Sequence, residues 1–225
     1  MKKKIVGIVA GLSLVTSLAC AAPLNDFSQG KVAIDISARP SGDIKVSDSI
    51  GSETYDAKTN WEYGLTVGLG NKFAFEYKNF NPKSKDYNTI LGTANGKLNT
   101  QEFNILYKAD DNFTIFTGFN KVKSSYDIAG HDLDGDSKTN WQIGVTGQTK
   151  LSDKITGYAT VATGRDSNAW KIGAAYAIDK NLDFNLFYAQ NRYDKVKYNN
   201  VIAAGFGNDA DYTIKGMGYG VTYKF

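Results

Sequence analysis

Among its 225 residues the chain has one cysteine, one histidine and three prolines, and a single long apolar run lies at its N-terminus. So few cysteines exclude a disulfide scaffold and leave no case for a thiol enzyme. The solitary apolar run excludes a bundle of transmembrane helices. Basic charge is also scarce once it is located. Lys+Arg number 26 against 23 Asp+Glu, and Lys2, Lys3 and Lys4 supply the whole excess. Residues 1–21 carry no acid and no arginine, so the remainder balances at 23 against 23 and a basic nucleic-acid binder is not expected.

What is present begins with an export signal. Lys2–Lys4 form a positive n-region, Ile5–Leu18 an apolar h-region, and Ala19-Cys20-Ala21 the small residues before a cut at Ala22. This reading makes 1–21 a cleavable signal peptide, removes Cys20 with it, and leaves 22–225 as one domain.

Through that domain no apolar i, i+3, i+4 pattern is sustained, and period-two alternation recurs instead. Val32, Ile34, Ile36 and Ala38 alternate, then Trp61 to Leu69, Phe73 to Tyr77, Phe103 to Tyr107 and Phe113 to Phe119. Trp141 to Val145, a weak Ile155 to Val161, Trp170 to Ile178, Leu182 to Tyr188 and Met217 to Phe225 follow. The count is ten strands, with eight and twelve as alternatives. Short turns near 70–72, 109–112, 150–153 and 179–181 alternate with longer connections near 40–58, 81–98, 123–138 and 192–211, and 164–168 is a short exception. Short turns at one end and long loops at the other predict an all-β fold: a closed antiparallel up-and-down transmembrane β-barrel, short turns towards the periplasm.

A soluble barrel would also alternate, but its outer face would be dense in Lys and Glu. Here the face opposite the apolar one is small: Gly64, Gly68, Gly144, Gly173, Gly218 and Gly220 among others. That suits a crowded lumen. Aromatic residues fall near strand ends, as two lipid–water interfaces select. Trp61, Trp141 and Trp170 begin strands arriving from the long-loop side, while Phe73, Tyr107, Phe113, Tyr176 and Phe184 lie beside short turns. Lys58-Thr59-Asn60-Trp61 recurs as Lys138-Thr139-Asn140-Trp141, and Trp170-Lys171-Ile172-Gly173 and Tyr219-Gly220-Val221-Thr222 echo the start of the strand that follows, so the repeat unit reads as a hairpin.

The final alternation, Tyr219, Val221, Tyr223 and the terminal Phe225, resembles the C-terminal signal of bacterial outer-membrane barrels. Together with the export segment, it makes the chain similar in class to small porin-like and OmpA/opacity-type barrels. Ten strands would be nearer omptin proteases or OpcA-type adhesins. The resemblance implies the bacterial outer membrane as location, its lipid as surroundings and the barrel-assembly machinery as a partner. It implies no cofactor, and no OmpA-style peptidoglycan-binding domain is expected after Phe225. Ala22–Gly30 reads as a short periplasmic lead-in.

Inward strand positions carry Asp35, Glu62, Glu76, Glu102 and Asp183 against Arg39, Lys78, Lys108, Lys171 and Lys224. Ten strands tilted about 40° give a backbone radius of about 10 Å, mostly filled by side chains. Two functions follow: a structural barrel with a salt-bridged plug, or a porin-like passive pore for small solutes. The alternative is a surface adhesin or receptor acting through its loops on a surface ligand. An enzyme is not expected, because the only histidine, His131, sits in a long loop without an obvious nucleophile. Asp132, Asp134 and Asp136 have i, i+2, i+4 spacing, but Ser137 and Ile143 occupy places where a calcium-binding EF-hand loop needs Gly and Glu, so no metal is assigned. Val201–Phe206 is unusually apolar for a loop tip.

Overall fold

The computed structural model describes residues 24, 26–89, 92–198 and 207–225. The export segment and the Val201–Phe206 stretch lie outside them. Among the described residues there are fourteen strands: β1 Val32–Arg39, β2 Asp43–Ser47, β3 Ser52–Asp56, β4 Asn60–Gly70, β5 Phe73–Phe80, β6 Tyr87–Thr89 and β7 Gly92–Lys108. β8 Phe113–Ile128, β9 His131–Asp134, β10 Lys138–Lys150, β11 Ile155–Gly164, β12 Ser167–Ala177, β13 Leu182–Lys197 and β14 Asp209–Lys224 complete them. Neighbours run β1-β4-β5-β7-β8-β10-β11-β12-β13-β14, and β14 pairs back onto β1, closing a ten-stranded antiparallel barrel. The ladder from Ala33↔Lys224 to Ala38↔Tyr219 makes that closure.

Exposure follows the alternation. Ile34, Ile36, Leu69, Phe103, Ile105, Ile143, Ile172, Leu186 and Tyr219 are large, apolar and exposed around the barrel, a distribution that only a lipid surrounding satisfies. On β4 the belt runs from Trp61 to Leu69, about 20 Å along the membrane normal at 3.3 Å per residue and 40° of tilt.

The inward face explains its glycines. Gly144 lies opposite Phe116, Gly173 opposite Tyr158 and Gly218 opposite Phe187 in the ladders. A Cβ at any of them would overlap the facing ring. Each glycine leaves the space its partner's aromatic side chain fills, so the lumen is packed with rings.

Two regions differ from the sequence reading. β7, β8, β13 and β14 run well beyond the lipid belt at their outer ends, through segments expected to be loop. Strict alternation fades there because both faces no longer meet the same pair of solvents. The connection after β1 forms a β2–β3 hairpin that takes up β14's outer half, Asp43–Ser47 pairing Lys215–Asp211. Residues 24 and 26–30 are also more than a lead-in. Leu24 and Phe27 are each 3% exposed and pack with Ala33, Ala74, Leu106 and Phe116 inside the inner mouth. Phe27 accepts a main-chain hydrogen bond from Gly70 at 2.8 Å, and Gly68 has no side chain where Ser28 crosses it.

Leu186→Arg, on the lipid face, is expected to lower unfolding free energy in vesicles by about 2–4 kcal/mol. A loss below about 0.5 kcal/mol, ordinary for a water-facing surface site, would place that face elsewhere.

Candidate functional site

The candidate site is the lumen. Its middle third gathers Asp35, Arg39, Glu62, Glu76, Lys78, Glu102 and Lys171 from β1, β4, β5, β7 and β12 around two cavities of about 80 and 70 Å³. Because inward positions alternate with lipid-facing ones, the strand period delivers these charges to one compartment. Glu62 is the hub. It accepts from Arg39 Nη2 at 2.8 Å and from Lys171 Nζ at 2.7 Å. Arg39 also donates to Asn191 Oδ1 at 2.9 Å and stacks over Phe80, 4.1 Å from the ring centre. Lys171 sits 4.4 Å from the Phe187 centroid. Glu76 pairs with Lys78 at 2.9 Å and accepts from Asn104 Nδ2 at 3.0 Å.

Three further inward charges stand apart. Asp183 pairs with Lys224 near the inner end, and Lys108 turns to Asp111 of the β7–β8 turn at 2.8 Å. Asp35 accepts from Thr222, which in turn accepts from Asn185 Nδ2 at 2.9 Å. The girdle residues face outward: Trp61, Trp141 and Trp170 towards the outer interface, with Phe73, Tyr107, Tyr176 and Phe184 on the short-turn side. Phe113 is half-buried at the start of β8. Tyr219, Val221 and Tyr223 are exposed on β14, and Phe225 follows it.

Among the described residues, apolar side chains line both ends of this compartment. Leu24 and Phe27 fill the inner mouth. At the outer end Leu98, Val122, Tyr193, Val196, Tyr212 and Ile214 are at most 3% exposed and form an apolar cap with Ile44 and Phe80. Tyr126 and Tyr212 share a hydroxyl–hydroxyl hydrogen bond within it, and Tyr198 donates to Asp48 at 3.0 Å. Sequence reasoning missed both seals. The available signal was apolar residues at inward positions, such as Leu106, Phe116 and Phe187, out of phase with their strands.

His131 and the acidic loop come together differently from a metal or catalytic centre. β9 places successive side chains on opposite faces, and Asp134 is taken by Lys123 at 2.7 Å. Among the described residues no group of three or more potential ligands converges.

The outer-membrane protease OmpT from Escherichia coli is similar in structure at a TM-score of 0.55 and 12% identity, over 87% of this chain and 97% of that one. This chain has the fold of an outer-membrane β-barrel. Neisserial surface protein A is also similar, at a TM-score of 0.47 and 18% identity, covering 88% of this chain and all of that one. At these identities the likeness is one of fold. No family model matches the barrel, and no curated protein matches it in sequence.

Glu62→Gln would keep the hub's shape but leave Arg39 and Lys171 without their countercharge. Breaking a buried pair from one side is expected to cost about 3 kcal/mol, measured by denaturant unfolding of the barrel in vesicles. An unchanged midpoint would show that the hub contributes nothing to stability.

Proposed function

We propose that the chain is a closed-lumen barrel of the bacterial outer membrane, a non-conducting scaffold that holds an ordered extracellular β-platform at the surface. The observation that carries this reading is the double seal: Leu24 and Phe27 below, the Leu98–Val122–Ile214 cap above, and only about 80 Å³ in the larger of the cavities between. A chamber of that size holds a small group of waters rather than a solute stream. A porin-like passive pore has less support, since wide aqueous lumens need about sixteen strands.

A second reading, surface recognition, is favoured by the platform itself. The β2–β3 hairpin and the outer halves of β7, β8, β13 and β14 share the cap as a core of their own, which gives half-buried groups such as Tyr55, its ring tilted against Tyr87 at 4.6 Å, a fixed geometry. The role is taken as non-enzymatic, because His131 is exposed on a short outer strand away from the buried carboxylates of the lumen. For biogenesis, Tyr219, Val221, Tyr223 and Phe225 are the proposed assembly signal, and outer-membrane lipid the proposed surroundings.

The test is planar-bilayer recording of the folded full chain. Silence is expected, and reproducible open steps would overturn the scaffold reading. Binding to a surface ligand that is lost on exchanging the β2–β3 hairpin, with the barrel still folded, is the result expected of the recognition reading.

A further inference from the structure

The outer half of the barrel is apolar on one side and polar on the other. β11 ends at Gly164 and β12 starts at Ser167, so this part of the wall is low, whereas β8 and β13 continue upward. Above the low wall β8 and β13 meet, Ser124 Oγ donating to the Lys197 carbonyl at 2.7 Å. Between this arch and the β11–β12 turn sits Lys138, the uppermost inward residue of β10. All three of its ammonium protons have acceptors: the Asp166 carboxylate at 2.9 Å and the carbonyls of Asp194 and Lys195 at 3.0 and 3.2 Å. A bulge in β13 between Tyr193 and Val196, with Lys195 at φ 55°, accompanies the inward placing of those carbonyls. The hydrogen bond from Lys138 holds the Asp166 carboxyl below its ordinary value.

Beneath Lys138 the inward groups are amides and hydroxyls. Asn140 donates to Asn120 at 3.3 Å, and Asn120 donates to Ser167 and Gln142 at 2.8 and 2.9 Å. Gln142 donates to Asn104 at 2.9 Å, and Asn104 donates to Glu76. The voids follow the same line. A space of about 10 Å³ beside Asn120, Ser167 and Tyr193 shares Glu102, Gln142 and Ala169 with the 70 Å³ cavity. That cavity shares Glu62, Lys78 and Lys171 with the 80 Å³ chamber. A seal built only for stability could have been apolar, as the cap beside it is, because buried polar groups are costly unless all are satisfied.

The geometry points to Lys138 as the latch of a side portal, through which small polar molecules of a few heavy atoms reach the central chamber from the extracellular side. Opening requires Lys138 to release Asp166 and the two carbonyls, and the main-chain bond from the Asp194 N–H to the Asp166 carbonyl, 2.9 Å, to give with them. The amide column then offers replacement hydrogen bonds to the entrant, and the chamber at its foot presents charges of both signs. The inner plug of Leu24 and Phe27 stays in place, so the portal gives access without conduction and is compatible with the closed scaffold.

Cysteine accessibility tests this in the folded full-length barrel in vesicles. A Cys20→Ser background removes the chain's one cysteine, and 2-aminoethyl methanethiosulfonate is the probe. Ser167→Cys reports the column, and Ser84→Cys, equally small and 1% exposed on the apolar side of the outer half, is the control. Adding Lys138→Met is expected to speed modification at 167 by at least about tenfold, the scale of one lost charge-assisted hydrogen bond, and to leave 84 unreactive. An unchanged rate at 167 would overturn the portal. Equal acceleration at both positions would overturn it too, since Lys138 would then merely hold the outer half together.

Discussion

The rest of the structure depends on the hydrogen-bonded seam between β1 and β14. In hydrocarbon a strand edge has no water to satisfy its N–H and C=O groups, and each one left bare costs several kcal/mol. Closing the sheet removes both edges at once, from Ala33↔Lys224 to Ala38↔Tyr219. Once it is closed, each of the ten barrel strands has one face committed to lipid, and the side-chain period of two sends every second residue into a lumen about 10 Å in radius. The lumen's contents are therefore whatever the lipid face leaves over. Here that is a set of charges, glycines and the rings that glycines make room for.

Those charges and the two apolar seals depend on one another. Arg39, Glu62 and Lys171 are each at most a quarter exposed, an expensive placement unless the pairs are close and well hydrogen-bonded. Bonds of 2.7 and 2.8 Å at Glu62 and aromatic faces under both cations meet that demand. Leu24 and Phe27 at one end and the Leu98–Ile214 cap at the other restrict water, and electrostatic attraction strengthens as the local dielectric falls. In return, the pairs cross-link β1, β4 and β12 across the lumen and hold apart the walls that the seals fill. The cap also gives the extracellular strands a core, which is why they stay ordered beyond the lipid belt.

Legibility followed the solvent. Ten strands, their turns and the outward residues from Ile34 to Tyr223 were readable because a bilayer forces each strand to alternate, and alternation survives in one dimension. The inward charges were readable as the complement of that pattern, although their partners were not, since Glu62 meets Arg39 and Lys171 from 23 and 109 positions away in the chain. The extension of β7, β8, β13 and β14 was not readable. Above the membrane the inward face is packed, the outward face is wet and bears ion pairs, and stretches such as 92–98 and 209–215 look like loop. The plug was missed for a related reason. Residues 24–30 have no periodicity, and their place is set by a socket of Ala33, Ala74, Leu106 and Phe116 contributed by four separate strands.

By itself, then, the sequence determined that this chain is a membrane barrel with its aromatics at two levels and balanced charge inside. A period-two pattern, turn lengths and ring positions are local properties of the chain. Only the tertiary structure decided what fills the barrel's two ends. Filling them needs side chains from distant strands to meet: Phe116 over Gly144, Leu98 and Ile214 in one cluster, Lys138 reaching Asp166 and β13. Those meetings depend on barrel radius, register and strand length together, and none of the three is written in any one segment.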